Sequence, residues 1–290
     1  MRIARVVAVL AAAAALLLSA CGKTAKDNGP AVSQSAATNV AVPGSATFDA
    51  MKARGKAIIG VKQDQPGLGY MDPTTGKYSG FDIEIARMVA ASLGFAEDKI
   101  EYVAVPSANR ETAISTGQVD FYVGTYSITD TRKQQVSFAG PYYIAGQDLL
   151  VRKSDTSITG PDSLAGKKIC SVTGSTPAAR LKDRGYDVLE LEVYSLCVDQ
   201  LLNNQVDTVS TDDAILKGYA ADSPDKLKVV GQPFSTEKYG IGLSLTDAAL
   251  RGKINDVLAG AFADGQWQQI YDATLGKSGS AASPPTLERY

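Results

Sequence analysis

Along the chain, apolar and polar positions switch between two periods. Short apolar runs bounded by glycine, proline and aspartate predict strands at residues 56–62, 100–105, 119–123, 167–172, 188–193 and from Val206 onward. Between them lie stretches with apolar residues three and four apart. One starts near Gly80 behind a Ser79 cap and sets Phe81, Ile85, Met88 and Val89 on one face. Others open at 106–111 and stop at Gly117, follow the turn 174–177, and run through Cys197 to Asn203. A glycine-rich segment, 64–76, reads as a loop. Strands alternating with helices predict parallel sheets with crossover helices, an α/β chain.

The two ends lack this patterning. Arg2 and Arg5 precede an apolar run, 6–18, that is short for a membrane span, and small residues lead directly to Cys21. This resembles the bacterial lipoprotein signal, which implies cleavage before Cys21 and lipid on its sulfur and new amino terminus. Residues 21–47 are small and polar and read as the lipidated cysteine and a flexible tether; 278–290 read as a disordered tail.

Composition narrows the chemistry. With 29 basic and 31 acidic residues the net charge is −2, which supplies no field for nucleic acid. No histidine occurs in 290 residues, which removes Ser-His-Asp and Cys-His nucleophiles and histidine-containing zinc sites. No motif calls for a metal or cofactor. Cys170 and Cys197 form an even pair in an exported chain and are expected to be a disulfide, with two free thiols as the alternative.

Candidate binding chemistry sits at strand ends. The strand at 119–123 runs out into Thr125, Ser127, Thr129 and Arg132, a set of hydroxyls and one guanidinium suited to a carboxylate. Gly117-Gln118-Val119-Asp120 is echoed by Asn204-Gln205-Val206-Asp207, and five residues past each aspartate stand Thr125 and Asp212. One half of the chain thus offers donors where the other offers a carboxylate.

Seven segments in order then carry a family resemblance: 59–66 (IGVKQDQP), 80–84 (GFDIE), 107–111 (SANRE), 125–132 (TYSITDTR), 138–142 (FAGPY), 170–177 (CSVTGSTP) and 207–212 (DTVSTD). The chain resembles the extracytoplasmic solute-binding proteins of polar amino acid ABC importers, and within them the glutamate/aspartate-binding lipoproteins of Gram-positive, especially actinobacterial, bacteria. The resemblance implies a two-lobed periplasmic-binding-protein-like fold of type II, with two hinge crossings near 141–145 and 237–240 and a ligand cleft. Lobe one would be 48–144 plus 239–277, and lobe two 145–238.

By the same resemblance, Arg132 with the backbone amide and hydroxyl of Thr125, and Ser175 and Thr176 from the other lobe, would hold the α-carboxylate of L-glutamate or L-aspartate. Asp212 would hold the α-ammonium, with Asp213 as the competing candidate. A second ligand carboxylate needs further cations, and Lys62 and Arg110 stand at the same edge as Arg132. Relatives often carry an aromatic just after the position of Pro66; here Gly67 stands there, which leaves Tyr70 or Tyr126 as the apolar wall. The implied partners are a membrane permease and, through Cys21, the outer face of the cell membrane, with the protein itself a monomer. The alternative is a secreted enzyme on the same fold, of the cyclohexadienyl or arogenate dehydratase kind.

Overall fold

The computed structural model describes residues 32–278 and 280–290. After α1 (Ala46–Arg54) comes β1 (Ala57–Val61), followed by a small antiparallel sheet of β2 (Asp64–Gln65), β3 (Gly69–Met71) and β4 (Tyr78–Ser79). Then follow α2 (Phe81–Ser92), β5 (Ile100–Ala104), α3 (Arg110–Ser115), β6 (Phe121–Tyr122), α4 (Asp130–Lys133) and β7 (Ser137–Ala145). The next stretch holds β8 (Gln147–Arg152), β9 (Ile169–Val172), α5 (Thr176–Asp183), β10 (Val188–Leu191), α6 (Tyr194–Leu202), β11 (Thr208–Asp212), α7 (Asp213–Asp222) and β12 (Leu227–Val229). The chain returns through β13 (Glu237–Leu243) to α8 (Ala248–Ala263) and α9 (Gln266–Ala273).

These strands build two sheets of one design. The order is β5-β1-β6-β13-β7 in the first lobe and β10-β9-β11-β8-β12 in the second. In each, a central strand pairs in parallel on both sides, β1 with β5 and β6, β9 with β10 and β11. The fourth strand, β13 or β8, joins antiparallel. The lobes are bridged where β7 gives way to β8 and where β13 returns, and these crossings pair as Glu237↔Ala145, Lys238↔Ile144 and Tyr239↔Tyr143. The fold is the expected two-lobed α/β architecture with two crossings.

The sequence echo has a structural meaning. Gly117 and Asn204 end their helices with left-handed φ of 71° and 58°. Asp120 Oδ2 then accepts the Ile58 N–H at 2.6 Å, and Asp207 Oδ2 accepts the Lys168 N–H at 2.8 Å. Each aspartate therefore fixes the start of the neighbouring central strand. In the second lobe a disulfide between Cys170 and Cys197 also ties β9 to α6.

Four expectations are corrected. Ser79 ends β4, and the helix is entered through Gly80, whose φ of 116° and close approach to the Leu68 backbone leave no room for a Cβ. The glycine-rich segment forms the small sheet instead of an open loop, because Asp64 and Gln65 find antiparallel partners in Tyr70 and Gly69. The tether does not stay free to residue 47: the Ala37 N–H donates to Ala91 O, Val42 is buried, and α1 is already capped by Ser45. The tail lies against lobe one, with Glu288 N–H on Gly140 O, the Phe138 N–H on the Tyr290 hydroxyl, and Arg251 over the Tyr290 ring. It covers β7, an edge strand whose backbone groups would otherwise stay open. The signal and Cys21 lie outside the described residues.

Candidate functional site

The carboxyl ends of β1, β6 and β11 and the amino end of α5 meet between the lobes. On the first lobe, the chain leaves β6 and turns at Thr125, which takes a left-handed φ of 47° that β-branched residues rarely adopt. Two buried groups hold it there. Its amide donates to Asp82 Oδ2 at 3.0 Å, and its hydroxyl lies 3.2 Å from Gln65 Oε1. Thr129 then caps the short α4 by accepting the Arg132 N–H, which orients the arginine inward.

Arg132 and Arg110 are 8% and 2% exposed. Arg132 Nη1 donates to Ser127 O at 2.7 Å, and its Nε lies 3.3 Å from Glu111 Oε1. Arg110 Nε donates to Ser107 O at 3.0 Å. The Nη2 groups of both arginines reach one acceptor in the other lobe, Gly174 O, at 2.9 and 3.1 Å. Burial, then the neighbouring Arg110 charge, draws the Arg132 pKa down to about 10. Lys62, 4% exposed, donates from Nζ to Ser107 Oγ at 2.8 Å. Burial and Arg110 pull its pKa down to about 7.

The second lobe answers with a carboxylate and a helix start. Asp212 is buried, accepts the Tyr239 hydroxyl on Oδ2 at 2.7 Å, and has no hydrogen-bond partner on Oδ1 among the described residues. Burial, then the Glu237 charge, pushes its pKa up to about 7. Asp213 is engaged elsewhere, with the Gly146 N–H at 3.1 Å and Lys217 Nζ at 2.6 Å. Ser175 caps α5 by accepting the Ala178 N–H. Thr176 Oγ1 donates to Glu237 Oε2 at 2.9 Å and lies 3.3 Å from Ser127 Oγ across the cleft. Burial alone would raise the Glu237 carboxyl; bonds from Ser127, Arg180, Ser235 and Thr176 hold it below the ordinary range.

Arg110, Thr125, Arg132, Ser175, Thr176 and Asp212 all line one cavity, together with Ser107, Ser127, Pro177, Tyr194 and Ile215. Its free volume is only about 10 Å³, and the Nη2 groups of both guanidiniums are taken up by the Gly174 carbonyl. Lys62 lies behind Ser107, on the side of an adjoining cleft of about 400 Å³ that Asp64, Asn109 and Glu192 also line. A mainly apolar cavity of about 220 Å³ behind the hinge, beside Tyr143 and Tyr271, brings together none of these charges.

Three readings from sequence change here. The Thr125 amide is occupied by Asp82, so only the rest of that residue faces the cavity. Tyr126 is no wall of the cavity: it is fully buried behind the cations, with Arg110 at 4.2 Å and Arg132 at 5.0 Å from its ring centre, and its hydroxyl donates to Glu111. Tyr70 sits in the small sheet and does not line the cavity. Tyr194, Pro177 and Ile215 supply the apolar surface instead. Sequence reasoning also gave no role to Asp82, Gln65, Glu111 or Glu237; the burial that marks Asp82, Gln65 and Glu237 and the contacts of Glu111 with Arg132 and Tyr126 are invisible before folding.

Comparison with known proteins adds independent information. The model of the family described as bacterial extracellular solute-binding proteins, family 3, matches residues 57–277. The glutamate-binding protein GluB of Corynebacterium efficiens is 39% identical over 244 residues, 80% of this chain and 83% of its own. The glutamine-binding protein GlnH of an ABC transporter in Bacillus subtilis is 34% identical over 91% of this chain and 94% of its own. Among solved structures, an ancestral arginine-binding protein bound to glutamine superposes with a TM-score of 0.72 at 33% identity, covering 77% of this chain and 99% of that one.

Proposed function

The chain belongs to the bacterial extracellular solute-binding proteins of family 3, and from that premise we propose that it captures L-glutamate or L-aspartate between its lobes and delivers it to an ABC permease. As a member of that family it acts outside the cytoplasm and binds a small amino acid without transforming it; the dehydratase reading falls away with the family and its named relatives.

The observation that carries the acidic ligand is the charge pattern. Arg110 and Arg132 are buried on one lobe and share a cavity with Asp212, whose Oδ1 has no hydrogen-bond partner among the described residues; Lys62, buried on the same lobe, lies just behind Ser107. An acidic amino acid carries two carboxylates and one ammonium, which is the complement of this set. Arg132 takes the α-carboxylate with Thr125, Ser175 and Thr176 around it, Asp212 takes the ammonium, and Arg110 with Lys62 takes the side-chain carboxylate. A neutral side chain would leave a buried cation without its counter-charge, at a cost of several kcal/mol. GluB of Corynebacterium efficiens, named for glutamate, supports this reading. The name of GlnH of Bacillus subtilis makes glutamine the competing ligand.

Binding on this reading needs the lobes to part and re-close. The ligand carboxylate takes the place of the Gly174 carbonyl as acceptor for both guanidiniums, and a charged acceptor makes the stronger bonds. Contacts from both lobes make the closed form the one the ligand favours. The moving bodies are residues 48–144 with 239–277, and 145–238, the first extended by all of α1 and by the docked tail. Lipid on Cys21 anchors the protein, as a monomer, at the outer face of the membrane.

Titration calorimetry of residues 22–290 against glutamate, aspartate, glutamine, asparagine and arginine tests the assignment. Glutamate or aspartate is expected to bind tightest, at micromolar Kd or below, about −8 kcal/mol. Preference for a neutral or basic amino acid would remove Lys62 and Arg110 from their roles.

A further inference from the structure

Helix α6 begins without a cap of its own. Its N-cap residue is Val193, whose apolar side chain cannot accept a hydrogen bond, so the N-cap leaves the first amide groups without a side-chain acceptor. The partner comes from the other lobe: Asp64, held in the small sheet by its pairing with Tyr70, accepts the Ser195 N–H on Oδ2 at 3.1 Å. The Tyr219 hydroxyl on α7 lies 3.2 Å from the same carboxylate oxygen and also bonds the Asp64 carbonyl. Beside this contact α7 presents Gly218 to the Pro66 carbonyl, so close that an added Cβ would stand 2.1 Å from that oxygen. The first residue of α6, Tyr194, lines the ligand cavity.

We propose that Asp64 is a positioning residue that caps α6 in trans, so that closing the lobes completes a helix that neither lobe completes alone. Asp64 does not line the ligand cavity. Its contribution is therefore common to every amino acid the cleft accepts, and selectivity belongs to the cations. It also sets Tyr194 against the ligand only when the lobes meet. Because the cap exists only in the closed form, its loss lowers the closed population and weakens all ligands by one factor. This rests on binding by closure, but not on which amino acid is preferred.

The test is calorimetry with L-glutamate and L-glutamine on Asp64→Ala, Tyr219→Phe and the double variant. Loss of an N-cap corresponds to about a two- to thirty-fold change in an equilibrium constant. Asp64→Ala is expected to weaken both amino acids equally within that range, Tyr219→Phe less, and the double variant no more than Asp64→Ala alone. Asp64→Asn, which keeps an acceptor oxygen, should recover part of the loss, while the ligand-free melting temperature stays unchanged throughout. Unequal losses for glutamate and glutamine would overturn the proposal, because Asp64 would then be acting through the nearby Lys62 charge. Additive losses, or unchanged affinity in Asp64→Ala, would overturn it as well. A wild type that prefers glutamine would sink the acidic-ligand assignment and leave this test intact.

Discussion

The two lobes share a scaffold and differ in what they hang on it. In both, a helix stops at a left-handed residue, Gly117 or Asn204, and the next aspartate fixes the start of the central strand. Past that point the first lobe turns at Thr125 into a loop that ends on Arg132, while the second continues through a five-residue strand to Asp212 and the helix behind it. One lobe therefore gathers cations and the other a carboxylate with a helix start. Glu111 meets Arg132 within the first lobe, but Asp212 shares a cavity with Arg110 and Arg132 only when the two lobes are apposed. Duplicated topology thus sets where the candidate site lies, and the loops decide which charges line it.

This comparison breaks most visibly at Arg132. Arg132→Ala removes the charge expected to hold what all amino acids share, and glutamate and glutamine should both weaken by about 30- to 5,000-fold, the equivalent of 2–5 kcal/mol for one partner of a buried charge pair. Binding retained to within a few fold would transfer the carboxylate to Arg110. Next in size is the staple found in lobe two. Replacing Cys170 and Cys197 by serine opens a crosslink of sequence separation 27. It should cost about 3–4 kcal/mol in the chain-entropy model, read as a lower denaturant midpoint. Exchange protection of lobe-one amides should fall later than that of β9 and α6.

Asp212→Asn probes the opposite sign. It should weaken glutamate by about 10- to 150-fold, as for a hydrogen bond to a charged group, yet leave glutarate, which lacks the ammonium, no weaker than in the wild type. Equal loss of both ligands would remove the ammonium from Asp212.

The smallest effect is one of pH. With the Lys62 pKa drawn down to about 7, raising pH from 6 to 8 discharges it and should shrink the preference for glutamate over glutamine. Over the same range Asp212, its pKa pushed up to about 7, ionises and should strengthen both amino acids alike. Stability of the ligand-free protein moves by linkage. The native state keeps the Asp212 proton above the pH at which the unfolded chain releases it, so that contribution is lost as pH rises through about 7. Lys62 acts oppositely: the native state gives up its proton first, so its penalty fades as pH rises from about 7 toward 10. A preference that grows with pH would contradict the Lys62 assignment.

Much of this was legible before folding. Alternating periods located six of the thirteen strands and four of the nine α-helices among the described residues, and the ends of those elements located Lys62, Arg110, Arg132 and Asp212. The misreadings share a cause. Gly67 and Gly69 suggested a loop, yet that segment found strand partners in itself and Tyr78–Ser79. Tyr290 and Glu288 look like a fraying end, yet they cover the edge of a sheet assembled 150 residues earlier. Tyr126 stands directly before Ser127 in the candidate loop, and only packing turned it away from the cavity to lie behind both arginines.

The sequence by itself determined the α/β class, the alternation of its central strands and helices, the exported character and the charged residues at the ends of those elements, because periodicity, turns and signal segments are local properties of the chain. Tertiary structure alone decided which polar atoms are occupied and which stay open: the Thr125 amide taken by Asp82, Asp213 taken by Lys217, Asp212 Oδ1 without a partner among the described residues, and α6 capped by Asp64 from the facing lobe. The reason is physical. Buried polar groups must find partners, those partners stand tens to more than a hundred residues away, and no local pattern records the distance at which they meet.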